Sequence, residues 1–343
     1  MRREPASRAG IVHRMVVDSE RLGANMLGDP SSRIVDVYSP PGHDGAGLPL
    51  LVDLVGYTAG GPAHTNWKNF GENAPERLDR LIGSGAMPPV VVAFPDCFTR
   101  LGGNQYINSV STGPWADFLI HEMVPQVEEK FGCGGLNRRG VFGKSSGGYG
   151  AIVHAMLYPD FWAAAACHSG DMAFETCYMP GLVRSLREFA RAGGIKPWFE
   201  EFEKRLKLKV KDEDVETLEM LAMCASYDPD PEAWLGLRLP LEMETAELIR
   251  DRWDNFAKWD PVNIVRTRGA GLKALRALYI DCGDVDQFNL VYGARRLHRE
   301  LARQGVAHRY EEFADNHSSV DYRMDHSLPF LAAALAGPPG RRP

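Results

Sequence analysis

Arg139-Gly140-Val141-Phe142-Gly143-Lys144-Ser145-Ser146-Gly147-Gly148-Tyr149-Gly150-Ala151-Ile152-Val153-His154-Ala155-Met156 is the stretch on which the fold turns. Residues 139–143 are a short apolar run and predict a strand, and residues 146–157 predict a helix. Between them, Gly143 to Gly147 has the pattern G-x-S-x-G. Strand, G-x-S-x-G and helix together form the setting in which a serine stands on a sharp turn with its hydroxyl exposed. A serine needs such access, and activation, before it can attack an acyl carbon. The pentapeptide alone also suits a plain turn, since Gly and Ser fill turns for other reasons; its flanks favour the nucleophile.

Upstream, strand-like and helix-like segments alternate. Ile34–Tyr38 alternates apolar and polar residues, as a half-exposed strand does. Residues 40–47 are a Pro/Gly loop. Leu50–Val55 and Val90–Phe94 are short continuous apolar runs, the pattern of strands buried on both faces. Residues 73–82 predict a helix. So do 115–131, with apolar side chains at 115, 118, 119, 123, 124, 127 and 131 and Pro125 as a point of kinking. Downstream, Ala163–Cys167 predicts another strand.

The composition changes after Asp171. Residues 173–262 are rich in Glu, Lys, Arg and Trp and read as helical, with Phe199, Phe202, Leu206, Leu218, Leu221, Leu248, Trp253 and Phe256 at helical intervals. Packing in a peripheral layer accounts for most of these; a lid over the site is the sharper expectation. Strands return at 277–281 and 308–313, with a helix at 290–304 between them and a last helix at 320–335 interrupted near Pro329. Repeated strand–helix units with one insertion predict an α/β fold with a mainly parallel central sheet flanked by helices. The core comprises 1–172 and 263–343, and the insertion 173–262.

The chain has 343 residues, a formal net charge of -6, and 44% hydrophobic and 24% charged residues, as a globular protein has. That charge gives no reason to expect nucleic acid or an anionic membrane as partner. No apolar run approaches a membrane span, and Met1-Arg2-Arg3-Glu4-Pro5 has no apolar stretch behind it to suggest a signal peptide. The six cysteines, at 97, 133, 167, 177, 224 and 282, have no zinc spacing, so no metal is expected; free thiols in a cytoplasmic setting are the simplest account. A Cys167–Cys177 pair remains open.

A nucleophilic serine needs a base and an acid to orient it. In the order Ser, then Asp or Glu, then His, acid and base stand on loops after late strands. The strand 277–281 runs into Cys282-Gly283-Asp284-Val285-Asp286-Gln287-Phe288, and the strand 308–313 into Ala314-Asp315-Asn316-His317. His317 is therefore the candidate base, with His168 its one serious rival among ten histidines. Asp281, Asp284 and Asp286 compete for the acid. Asp281 belongs to the strand and would need a partner of its own.

Gly143–Ala151, Asp281–Phe288, Asp315–His317 and the stretch Phe94-Pro95-Asp96-Cys97 with Gly102-Gly103-Asn104-Gln105-Tyr106 resemble the α/β-hydrolase family named Putative esterase, which includes esterase D (S-formylglutathione hydrolase), feruloyl and enterochelin esterases, and mycolyltransferases. The resemblance covers most of 33–172 and 263–335. It implies an α/β-hydrolase fold and a serine esterase with Ser145 as nucleophile, His317 as base and Asp286 as acid. It implies an oxyanion hole from the backbone N–H groups of Ser146 and Tyr57, the latter after the turn glycine Gly56. Small acyl or aromatic esters are the expected substrates, with no cofactor and a homodimer as an option. Trp67, Tyr106 and Trp115 are candidate substrate contacts. Because 173–262 is longer than the corresponding part of esterase D, specificity does not carry over. An acyltransferase with the same triad, a prolyl-oligopeptidase-type peptidase and a non-catalytic binding relative are the alternatives.

Overall fold

A computed structural model describes residues 9–337; the reading of Met1–Pro5 lies outside them. Eight strands form one sheet: β1 (Ile11–Asp18), β2 (Ser32–Ser39), β3 (Leu50–Leu54), β4 (Val91–Pro95), β5 (Arg139–Lys144), β6 (Ala164–His168), β7 (Ala277–Gly283) and β8 (Arg309–Phe313). Their order across the sheet is β1-β2-β4-β3-β5-β6-β7-β8. β1 with β2 and β2 with β4 are antiparallel; every other neighbouring pair is parallel.

The central strands are buried on both faces, so successive side chains serve two different cores. Leu50, Val52 and Leu54 of β3 pack into one core, and Leu51 into the other. Val141 of β5 and Phe142 divide in the same way. Seven helices matter below: α1 (Ala74–Gly83), α2 (Ser146–Leu157), α3 (Met179–Ala192), α4 (Ile195–Leu206), α5 (Asp212–Tyr227), α6 (Leu290–Arg303) and α7 (Met324–Ala336). α2 and the helices of the long β6–β7 connection cover the first core, while α1 and α7 cover the second. Asn73 starts α1 with a capping box, its side chain accepting from Glu76 N while Glu76 reaches back to Asn73 N.

One expectation needs correction, at Pro329, and the first strand has no counterpart in the sequence reading. β1 escaped notice because it is an edge strand in which only Met15 and Val17 are buried, whereas Ile11, Val12 and Val16 are exposed, so no clean alternation shows. The helix over 115–131 is divided just before Pro125, which stands in the first turn of its last segment. A π-turn over Leu119–Met123 precedes Val124–Phe131, with Val124 N bonded back to Leu119 O, and so absorbs the lost donor. Pro329 does not interrupt the last helix, which runs through it from Met324 to Ala336. Between β6 and β7 the chain is mainly helical, with an irregular stretch over 228–249 that holds one isolated bridge, Leu241–Leu248. Phe199, Phe202 and Phe256 are core residues there. All six cysteines are free, Cys167 and Cys177 included. Among the described residues no helix is long and apolar enough to cross a membrane.

Candidate active site

Ser145 sits between the end of β5 and the first turn of α2 with φ 59° and ψ -127°. This is a strained backbone for a residue with a Cβ, and it lifts the side chain off the strand–helix turn. The neighbouring glycines permit the approach. A methyl on Gly147 would lie 1.7 Å from Leu54 O, and one on Gly143 2.2 Å from the same oxygen. The elbow therefore presses directly against the end of β3, and the Gly56–Tyr57 loop follows from there. A Cβ on Gly56 would stand 3.6 Å from the Ser145 Cβ, in ordinary contact. Ser146 is the first residue of α2, so its N–H has no acceptor within the helix.

His317 and Asp286 come from loops that leave adjacent parallel strands, whose paired ends are Gly283 of β7 and Phe313 of β8. His317 Nδ1 lies 2.8 Å from Asp286 Oδ2, and both side chains are buried. The other Asp286 oxygen accepts from Phe288 N at 2.9 Å, which fixes the carboxylate. The Phe288 ring meets the imidazole edge-on, with centroids 5.0 Å apart. Gln287 Oε1 accepts from His317 N at 2.9 Å. Asp284 is exposed. His168 is occupied elsewhere: Nδ1 is 2.7 Å from Asp281 Oδ1, and Nε2 is 2.8 Å from Ser327 Oγ. Asp281 also accepts from Arg323 Nε at 2.9 Å, the separate partner that a strand carboxylate requires.

Ser145, His317, Gly56 and Tyr57 share the lining of a cavity of about 460 Å³. Much of its wall comes from the β6–β7 connection, through Cys177, Tyr178, Arg184, Glu216 and Glu219. Lys144 also faces it, donating from Nζ to His317 O at 3.3 Å, and burial lowers the pKa of its ammonium.

The three expected substrate contacts do not line this cavity. Trp67 is 74% exposed on the surface. Tyr106 is buried, its hydroxyl donating to Val55 O at 2.6 Å, and its ring fills the space that Gly150 leaves. Trp115 is buried under Arg33, its indole donating to Thr112 O at 2.8 Å. All three are aromatic, and a core uses such side chains more often than a pocket does.

Sequence reasoning missed Asp171. It lies just beyond β6, beside the elbow. Its Oδ2 accepts from Ser146 Oγ at 2.9 Å and from Tyr178 OH at 2.8 Å. Gln105 Nε2 donates to Ser146 Oγ at 2.7 Å, Tyr227 OH donates to Gln105 Oε1 at 2.9 Å, and the two tyrosine oxygens are 3.5 Å apart. The polar ring so closed joins the elbow to the start of α3 and the end of α5. The signal available was position, a carboxylate beyond the C-terminal end of a parallel strand next to the nucleophile's strand, where α/β sites gather. Among the described residues no group of three or more His, Cys, Asp or Glu side chains is disposed to hold a metal ion.

The profile of the Putative esterase family matches residues 30–327, and the chain belongs to that family. Esterase MT1326 and esterase Rv1288 of Mycobacterium tuberculosis are each 34% identical to it over 94 residues, which is 25% of this chain and 20% of theirs. The match thus spans about a fifth of the length of those curated relatives. Among solved structures, a ferulic acid esterase superposes with a TM-score of 0.61 at 18% identity, over 96% of this chain and 100% of its own. An S-formylglutathione hydrolase of Staphylococcus aureus gives 0.57 at 15% identity, over 94% and 99%. One from Agrobacterium tumefaciens gives 0.56 at 17%, over 96% and 98%. At these identities the likeness establishes the fold, the α/β-hydrolase fold.

Proposed function

We propose that this chain is a serine carboxylic-ester hydrolase acting on small acyl or aromatic esters through Ser145, His317 and Asp286. The observation that carries the reading is the His317–Asp286 hydrogen bond beside the same cavity as the strained Ser145. His317 Nε2 takes the Ser145 proton as Oγ bonds to the ester carbonyl carbon. Asp286, accepting from Nδ1, holds the imidazole in the tautomer whose Nε2 is free to do so and stabilises the imidazolium. The carbonyl oxygen, now anionic, is held by the N–H groups of Tyr57 and Ser146. Collapse breaks the bond to the alkoxide, which leaves with the proton from His317. Water then gives a proton to His317 and attacks the acyl-serine; the acyl–Oγ bond breaks, Ser145 Oγ takes the proton back from His317, and the carboxylic acid leaves.

Helices from 173–262 serve in this reading as a fixed cover rather than a loose flap, since the polar ring ties two of them to the elbow. The cytoplasm is the setting that six unpaired cysteines favour. Covalent labelling by a fluorophosphonate that disappears in Ser145→Ala tests the assignment; undiminished labelling of that variant overturns it.

A further inference from the structure

Asp171 is 4% exposed, and its two carboxylate oxygens are treated differently. Oδ2 has two good donors, Ser146 and Tyr178. Asp171 lines the cavity with Ser145, and its Oδ1 has only the Ser145 hydroxyl, at 3.5 Å, beyond the usual length of an O–H···O bond. A buried carboxylate oxygen without a close donor is costly, and a cationic ligand supplies what is missing. The ring of hydrogen bonds holds this oxygen in place before any ligand arrives.

Glu219, on α5, adds to the same wall. Among the described residues no donor or counter-ion meets its carboxyl. Burial, then the charges of Asp171 and Glu216, push it up to about 8. Burial likewise raises Asp171. The two basic side chains at the cavity are otherwise engaged. Arg184 Nε pairs with Glu216 at 3.0 Å, and Lys144 serves His317 O on the side of Asp321 and Asp286. Two carboxyl groups on one side of the cavity therefore have no cationic partner, and an ammonium placed between them would favour their ionised forms.

The distance to Ser145 says where a cation would belong on a substrate. In an aminoacyl group the nitrogen is two bonds, about 2.5 Å, from the carbonyl carbon. A charge-assisted N–H···O bond spans about 2.8 Å. With Oδ1 3.5 Å from the attacking Oγ, an α-ammonium can reach Asp171 while its carbonyl carbon meets Ser145. We propose that Asp171, supported by Glu219, binds the α-ammonium of an aminoacyl ester, so that the chain prefers α-amino acid esters to their uncharged isosteres. This rests on Ser145 being the nucleophile.

The test compares alanine benzyl ester with benzyl isobutyrate, in which a methyl replaces the ammonium, at pH 6.5. The wild type should favour the alanine ester in kcat/KM by about tenfold or more, the size of one charge-assisted hydrogen bond. Asp171→Asn should lower the ratio by about tenfold, towards that set by the intrinsic reactivities of the two esters, and Glu219→Gln should lower it by a smaller factor. The ratio survives any loss common to both esters, and Glu219→Gln serves if Asp171→Asn does not fold. A wild-type ratio of one or less, or a ratio that neither variant moves, overturns the inference. Calorimetry on Ser145→Ala with alaninamide and isobutyramide separates the two claims. Binding of alaninamide alone, with no hydrolysis of either ester by the wild type, keeps the ammonium site and removes the esterase. Hydrolysis of both esters at equal rates, with neither amide bound, does the reverse.

Discussion

His317 Nδ1 and Asp286 Oδ2 are 2.8 Å apart, on loops that leave neighbouring parallel strands. The register that pairs Gly283 with Phe313 sets the contact, because each loop needs only three or four residues to bring its side chain across. Asp284, two residues earlier, is exposed. Asp286→Asn should therefore lower kcat on p-nitrophenyl acetate by a factor of ~10⁴, by stabilising the wrong imidazole tautomer. Asp284→Asn should stay within about twofold of the wild type. Steady-state kinetics of the two variants decide it, and the opposite ranking moves the acid to Asp284.

Ser145→Ala and His317→Ala should each remove a factor of ~10⁴ or more from ester hydrolysis. Combined, they should cost little more than either alone, because the two act as a unit. Circular dichroism should show all three variants folded. A double variant slowed by the product of the single effects would mean that the two side chains do not share a step.

Much of this site was legible because a few residues carry strong local requirements. G-x-S-x-G between an apolar run and a helix leaves little choice of backbone, and a histidine after the last strand sits where a parallel sheet gathers its loops. What stayed hidden depends on contacts distant in the chain. Asp171 gains its meaning from Tyr178, Ser146 and, through them, Tyr227 and Gln105, which no spacing connects. Tyr106 and Trp115 looked like pocket residues, yet Tyr106 fills the space over Gly150 and Trp115 lies under Arg33. β1 was hidden because only Met15 and Val17 of it are buried, while Ile11, Val12 and Val16 face solvent.

The elbow should be intolerant of even one added methyl. At Gly147 that methyl would fall 1.7 Å from Leu54 O, a backbone atom in a central strand that cannot move aside. Gly147→Ala should cost about 3 kcal/mol or more, above the usual range of overpacking. Gly83→Ala, where the added atom meets nothing within 4 Å, should change stability by less than about 1 kcal/mol. Urea unfolding of the two variants measures the contrast, and comparable midpoints would mean that the close approach of β3 to α2 is not as described.

Away from the nucleophile, His64 Nδ1 lies 2.5 Å from the fully buried Asp53 Oδ2 at the end of β3. Burial disfavours the imidazolium, but the Asp53 charge and hydrogen bond outweigh it, with Asp321 adding and Lys68 opposing, so the His64 pKa is raised. A raised histidine pKa stabilises the fold fully below the unfolded value of about 6.5, and the contribution is lost as pH climbs through the folded value. His64→Gln should therefore be destabilised more at pH 6 than at pH 9, because the wild type holds at pH 6 a proton that the variant lacks and gives it up as pH rises. Thermal unfolding of both proteins at the two pH values measures this. A Tm gap that is equal at both, or wider at pH 9, means that His64 is neutral in the folded protein and that Asp53 is satisfied by an uncharged donor.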